Sequence, residues 1–319
     1  MITLDDVQSA ARRISPFIVE TPLERSQTLS NLLGTNVYLK MEIFQKTGSF
    51  KPRGAFNQIL QLDGKAKDKG VVAVSGGNFA QGVAYAARRL GINAIICMPE
   101  YTPVNYVDAT KSYGAKVELA PDFPSTFTKA ESYQADGYAF LHAWDNANQM
   151  AGNGTLGLEI LNRLPMVSDI VISIGGGGLF AGITVAVKAL KPDVRIWGVE
   201  TEGAQTMGKA LEAGEVVQIT PNSLAKTLSA PYVAEDALRI AQQYLQQYIV
   251  VSDQDAIESQ RFLLERTKVL TELAASCTLS AAKKIRQHFH KDDHVVLLLC
   301  GGNESLANMF AYSKLSNST

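Results

Sequence analysis

Short, predominantly apolar runs rich in β-branched residues recur along this chain with amphipathic stretches between them, and this alternation narrows the fold further than any other feature. The clearest runs are Val71 to Val74, Ala94 to Met98, Ile170 to Ile174, Arg195 to Val199 and Val295 to Leu299. Runs apolar on both faces are those of parallel strands covered by helices on either side. The intervening segments supply the helices. Gln81 to Leu90 places Val83, Ala84, Ala87 and Leu90 on one stripe and ends at Gly91, a C-terminal stop. Thr102 to Tyr113 carries Pro103 in its first turn and Gly114 at its end, as helix starts and stops favour. Phe180 to Leu190 follows four glycines, and Asp253 to Lys268 is amphipathic with Ser252 or Asp253 as its cap. The order predicts an α/β protein with parallel-rich sheets flanked by helices. Neither an internal repeat nor a low-complexity linker interrupts it.

At 319 residues the chain is long enough for two domains with a large buried core. A formal net charge of −1 and the lack of a lysine/arginine run argue against nucleic acid as a partner, which leaves small-molecule chemistry as the expectation. The first thirteen residues carry Asp5, Asp6, Arg12 and Arg13 on a helical pattern, unlike the apolar core of a signal peptide. No apolar run approaches the ~20 residues of a membrane-spanning helix. Cys97, Cys277 and Cys300 are odd in number and lack metal-ligand spacing. They read as free thiols, and the expected setting is the cytoplasm.

Two segments carry chemistry. In Phe44-Gln-Lys-Thr-Gly-Ser-Phe-Lys51-Pro-Arg-Gly-Ala55 a lysine stands between a glycine-containing turn and an apparent helix start. That position suits an amine that holds a cofactor aldehyde as a Schiff base. Gly175, Gly176, Gly177 and Gly178 separate the strand ending at Ile174 from the helix near Phe180. Consecutive glycines let backbone N–H groups converge, and the helix adds the positive end of its dipole, which together make a cup for a phosphate. A dinucleotide fingerprint is the competing reading, but position 180 is Phe, where both the Gly and the Ala forms of that motif fail.

With Ser75-Gly-Gly-Asn-Phe79 and Cys300-Gly-Gly-Asn303 following in order, the chain resembles the pyridoxal-phosphate enzymes of the serine/threonine dehydratase family, fold type II, over nearly its whole length. The resemblance implies a small domain at 48–146 inserted in a large one formed by 1–47 and 147–319, with pyridoxal 5'-phosphate in the cleft between them. It makes Lys51 the Schiff-base lysine and the base that removes the substrate α-proton. Phe50 packs on the cofactor ring. Asn78 serves the phenolic oxygen, Gly175 to Gly178 with Leu179 hold the phosphate, and Cys300 lies beside the pyridine nitrogen. A thiol there cannot keep that nitrogen protonated as a carboxylate would, which favours a short-lived carbanion that expels a β-substituent. Ser75, Gly76, Gly77, Asn78 and Phe79 face the substrate carboxylate, Asn303 orients ring substituents or closes its loop, and Glu272 is a candidate buried acid. Family members are commonly homodimers.

The departures from the family pattern set the expected activity. Racemases carry a second serine where this chain has Gly76, so efficient racemization is not expected. Phe79 replaces the usual histidine. His142-Ala-Trp-Asp145 and Gly152-Asn-Gly-Thr155 resemble cleft-lining segments, without the family's proline and glutamine. Glu200 and Ala204 match a divalent-cation loop whose second carboxylate is here Thr206, which leaves a metal open. Ser223-Leu-Ala-Lys226-Thr227 stands where the family shows alanine-aspartate-glycine, a charge reversal that places Lys226 to attract a second substrate carboxylate, as in 3-hydroxyaspartate. With Thr319 coming so soon after Asn303, control through an appended regulatory domain is not expected. The resemblance implies a lyase that dehydrates serine or threonine to a 2-oxo acid and ammonia. The alternatives are an acidic substrate, another β-elimination or β-replacement, and a non-catalytic cofactor-binding homologue.

Overall fold

The computed structural model describes residues 1–315; residues 316–319, the end of the expected large domain, lie outside it. Ten strands among the described residues build two sheets. They are β1 (Leu23–Arg25), β2 (Asn36–Met41), β3 (Val71–Val74), β4 (Ala94–Pro99), β5 (Lys116–Ala120), β6 (Ala139–Leu141), β7 (Asp169–Ser173), β8 (Arg195–Thr201), β9 (Leu245–Val251) and β10 (His294–Leu299). The order β1-β2-β10-β7-β8-β9 forms one sheet and β5-β4-β3-β6 the other. Every pairing is parallel except β1 with β2. The α/β architecture with parallel-rich sheets flanked by helices is the one expected.

The apolar runs fall in the sheet interiors. Strands β3, β4 and β7 are buried at every residue, and β10 at every residue after His294. Leu39, Val171, Ile196 and Leu297 meet Phe180, Ile183 and Leu279 in the core of the six-stranded sheet. Ala73, Ile96, Phe56 and Val83 form a separate core on the smaller one.

Helix limits differ from the sequence expectation where capping decides them. The helix expected from Gln81 spans Asn78–Leu90 with Gly77 as its N-cap, and the one expected from Phe180 spans Gly178–Leu190. Pro103 caps Val104–Ser112 from outside instead of occupying its first turn. The helix from Asp253 stops at Phe262, where a wide turn, Leu263–Thr267, leads to Lys268 at φ 62°. Gly91 ends its helix in the left-handed conformation, as expected.

Two contacts fix the frame that carries the glycine loop. A side chain at Gly182 would come within 2.1 Å of the Met150 carbonyl oxygen, and one at Gly154 within 2.7 Å of the Gly182 carbonyl oxygen. The helices Ala147–Arg163 and Gly178–Leu190 therefore touch backbone to backbone, which leaves the second helix little freedom to shift.

Candidate active site

The carboxyl ends of strands from both sheets open into one cavity of about 760 Å3. This is where open parallel sheets place ligands. Strand β3 delivers Ser75, β4 leads to Tyr101 and Thr102, β6 to Ala143 and Trp144, β7 to the four glycines and β10 to Cys300, and all of them line the cavity.

Lys51 is the first residue of the helix Lys51–Leu60, with Phe50 as N-cap and Pro52 in the first turn, where a missing N–H costs nothing. The chain arrives through two left-handed residues, Thr47 at φ 64° and Gly48 at φ 70°. The lysine segment is zipped to the end of β10. Ser49 bridges Gly301, Phe50 N donates to the Cys300 carbonyl at 3.1 Å, and Gly302 N donates to the Gly48 carbonyl at 2.9 Å. Segments far apart in the sequence thus become one rigid wall.

The Lys51 amine donates to the Ala143 carbonyl at 3.0 Å and lies 4.9 Å from the Phe50 ring centroid and 5.5 Å from that of Phe79. It forms no ion pair among the described residues. Burial disfavours its charged form and brings its pKa down to about 8, against the opposing pull of Cys300 and Glu272. An amine in this state is a usable base and nucleophile near neutral pH.

Glu272 caps the helix Leu273–Lys284 and receives Asn78 Nδ2 on both oxygens, at 3.0 and 2.9 Å, and the Thr227 hydroxyl at 2.9 Å. Burial raises its pKa to about 7 even though these donors and Lys51 favour the carboxylate. The Asn78 amide oxygen accepts from Asn303 Nδ2 at 2.8 Å, and the same nitrogen donates to the Thr47 carbonyl at 2.7 Å. Asn303 is thus a clamp on the lysine loop. The Cys300 thiol is buried and pushed well above its usual pKa, chiefly by desolvation, so it stays protonated.

Gly77 precedes the helix Asn78–Leu90, and the Ser75 hydroxyl accepts its N–H at 3.2 Å. A side chain at Gly76 would meet the Thr102 hydroxyl at 2.7 Å. Phe79 is buried in the core of the smaller sheet while its ring faces the lysine amine.

Pyridoxal phosphate fits the residues present. The Trp144 ring lies where a side chain of Gly176 would be, 2.1 Å from its Cβ position, and Gly177 has φ 85°. The glycines thus form a narrow cradle at the start of the helix Gly178–Leu190. Two buried donors that line the cavity, Trp144 Nε1 and Ser229 Oγ, lack a hydrogen-bond partner among the described residues, as a site for an anionic group requires.

The residues matched to a cation loop are engaged within the protein. Both Glu200 oxygens accept amide hydrogens from the first turn of the helix Thr206–Ala213, from Met207 at 2.7 Å and Gly208 at 2.8 Å. The Thr206 hydroxyl donates to the Ala230 carbonyl at 2.9 Å. No group of three metal-ligating side chains stands together among the described residues. Burial raises the Glu200 pKa to about 7. Ala204 is buried, and its N–H donates to the Thr201 carbonyl at 2.9 Å.

Lys226 is exposed at the cavity wall. Sequence reasoning missed the wall formed by Tyr101, Thr102 and Tyr106, whose hydroxyl donates to the Asn303 carbonyl at 2.7 Å. The position just after the parallel strand β4 is the signal that points to it. No helix of the described residues is long and apolar enough to cross a membrane.

A family model described as "Pyridoxal-phosphate dependent enzyme" matches residues 14–301. The L-threonine ammonia-lyase of Thermotoga maritima is 37% identical over 306 residues, 95% of this chain and 76% of that protein. A catabolic L-threonine dehydratase of Staphylococcus aureus, TdcB, is 37% identical over 315 residues, 97% of this chain and 91% of that one. Among solved structures, maize serine racemase superposes with a TM-score of 0.93 at 30% identity, covering 99% of this chain and 98% of its own. The processed form of threonine deaminase isoform 2 from Solanum lycopersicum also superposes with a TM-score of 0.93 at 30% identity, covering 99% of this chain and 88% of its own.

Proposed function

Because the chain belongs to the family of pyridoxal-phosphate dependent enzymes, we propose that it is an ammonia-lyase that dehydrates a β-hydroxy-α-amino acid, with serine and threonine the simplest substrates, to a 2-oxo acid and ammonia. The observation that carries this reading is the Lys51 amine, held by the Ala143 carbonyl without a carboxylate partner and lowered by burial to about 8.

The residues then divide the work. The N–H groups of Gly175 to Gly178 and Leu179 would hold the phosphate at a helix N-terminus, and Phe50, Asn78 and Cys300 are the residues that would receive the ring. When bound, the cofactor supplies an aldehyde for the amines and a conjugated ring that takes up negative charge at the substrate α-carbon. Ser75 and the amides of Gly76 and Gly77 receive the substrate carboxylate at the start of the helix Asn78–Leu90. The neutral Lys51 amine takes the α-proton onto Nζ. Glu272 fixes the Asn78 amide, and Asn303 fixes it from the other side. Loss of the β-hydroxyl as water, then hydrolysis, gives the 2-oxo acid and ammonia.

Gly76 offers no hydroxyl to return a proton from the opposite side, which favours elimination over racemization. The carboxylate loop at the cavity wall supports an enzyme over a non-catalytic carrier. We assign 48–146 as a small domain and 1–47 with 147–319 as a large one, because 71–141 holds one sheet and 23–41 with 169–299 the other. The reading extends to a cytoplasmic setting, supported by three buried free thiols, and to a homodimer, which light scattering of the purified protein tests. The test of the activity is release of 2-oxo acid and ammonia in equal amounts from serine or threonine with added cofactor. The wild type produces both and Lys51→Ala neither; an active Lys51→Ala protein would contradict the reading.

A further inference from the structure

We infer that the site prefers β-hydroxy amino acids that carry a second carboxylate, and that Lys226 is the residue that recognises it. The inference rests on the lyase reading above and names its substrate class.

The charged side chains that line the cavity are few: Lys51, Lys226, Glu272 and Glu304. Both acids are already engaged inside the protein. Glu272 holds Asn78 and Thr227, while Glu304 accepts from Ser305 N at 3.1 Å and Asn308 Nδ2 at 2.8 Å. Lys51 is assigned to the cofactor. Lys226 remains, with no hydrogen bond or ion pair from its amine among the described residues.

Its place in the wall is set by its neighbours. The Thr227 hydroxyl is tied to Glu272 at 2.9 Å, and the Thr227 methyl lies 3.9 Å from the position a Gly77 side chain would take. Lys226 is the first residue of the short turn Lys226–Leu228, which is closed by Ser229 N on the Lys226 carbonyl at 3.1 Å. The segment is thus fastened beside the loop assigned to the α-carboxylate. That loop has its own donors at a helix N-terminus, so the free ammonium adds a second anion contact for the side-chain end of the substrate. An exposed lysine gives a charge-assisted contact that added salt weakens.

Binding and turnover test this separately. Calorimetric titration of the cofactor-loaded protein with L-aspartate and L-alanine, which share the α-groups but have no β-hydroxyl to lose, reads the second carboxylate alone. At low salt aspartate should bind about tenfold more tightly than alanine, a preference that Lys226→Ala removes and Lys226→Arg keeps. The ratio of kcat/KM for 3-hydroxyaspartate over serine should fall by a similar factor in Lys226→Ala, through KM. Equal binding of aspartate and alanine, or a preference that survives Lys226→Ala, overturns the inference. Oxo acid from serine without that preference leaves the lyase reading standing. The preference without oxo acid from any substrate overturns the lyase reading and leaves only the recognition of a second carboxylate by Lys226.

Discussion

Two basic side chains stand two residues apart at the start of one helix, and their surroundings differ in kind. Arg53 is fully buried and every arm of its guanidinium is used. It holds Glu42 at 2.8 Å through Nε and again through Nη2, Glu159 at 2.6 and 3.0 Å, the Thr155 hydroxyl at 3.0 Å and the Val19 carbonyl at 3.3 Å. Lys40 closes the group, reaching Glu159 at 2.6 Å and the Thr21 carbonyl at 2.8 Å. The carboxylates outweigh the desolvation of Arg53 and hold its pKa above the usual value. Lys51 has one carbonyl and two aromatic faces, and burial wins. A closed set of pairs holds a helix in place, whereas an amine left short of partners is one that reacts.

The contrast breaks most visibly at its two basic side chains. Lys51→Met should lower oxo-acid formation by at least about 10^3-fold, while the urea midpoint of the cofactor-free protein stays level or rises, since a costly buried amine is gone. Arg53→Met should do the reverse and lower the unfolding free energy by roughly 3–5 kcal/mol, because the buried Glu42 carboxylate loses its cationic partner and Glu159 keeps only Lys40. A double variant with Glu42→Gln should recover part of that loss in a denaturation cycle. If Lys51→Met destabilised as much as Arg53→Met, the distinction between the two sites would fall.

Glu272 sharpens the comparison, since it is a carboxylate without a cation clamped on it. Its folded pKa, raised from 4.5 to about 7, means that the native protein keeps a proton which the unfolded chain releases. Stability therefore falls as pH rises from about 4.5 to about 7. Glu272→Gln should flatten that part of the stability profile and reduce kcat about tenfold to a hundredfold by misplacing Asn78. Unfolding curves and kcat measured across that pH range read both effects. The smallest change is expected from Cys300→Ser, a few-fold in kcat, because both side chains are neutral there.

Much of the chemistry was legible because it is local. The lysine lies at a helix start and the glycines between a strand and a helix, and both are marked within a dozen residues of sequence. The continuously apolar strands β3, β4, β7 and β10 were legible for the same reason. Strands β5 and β9 were missed because edge strands carry charge and polarity, here Lys116, Glu118, Gln246 and Gln247. The three-residue strands β1 and β6 are too short to show a period. The ion cluster was hidden too, since Lys40, Glu42, Arg53 and Glu159 meet only after folding and each alone reads as a surface charge. The cation loop shows what a motif match leaves out. Glu200 matches a ligand position, but the helix start beside it takes both oxygens.

The most direct test of the account is borohydride reduction of the cofactor-loaded protein, followed by peptide mass mapping. The account predicts one reduced phosphopyridoxyl group, on the peptide that contains Lys51, together with loss of the cofactor's visible absorbance. Label on another lysine, or none at all, would contradict it.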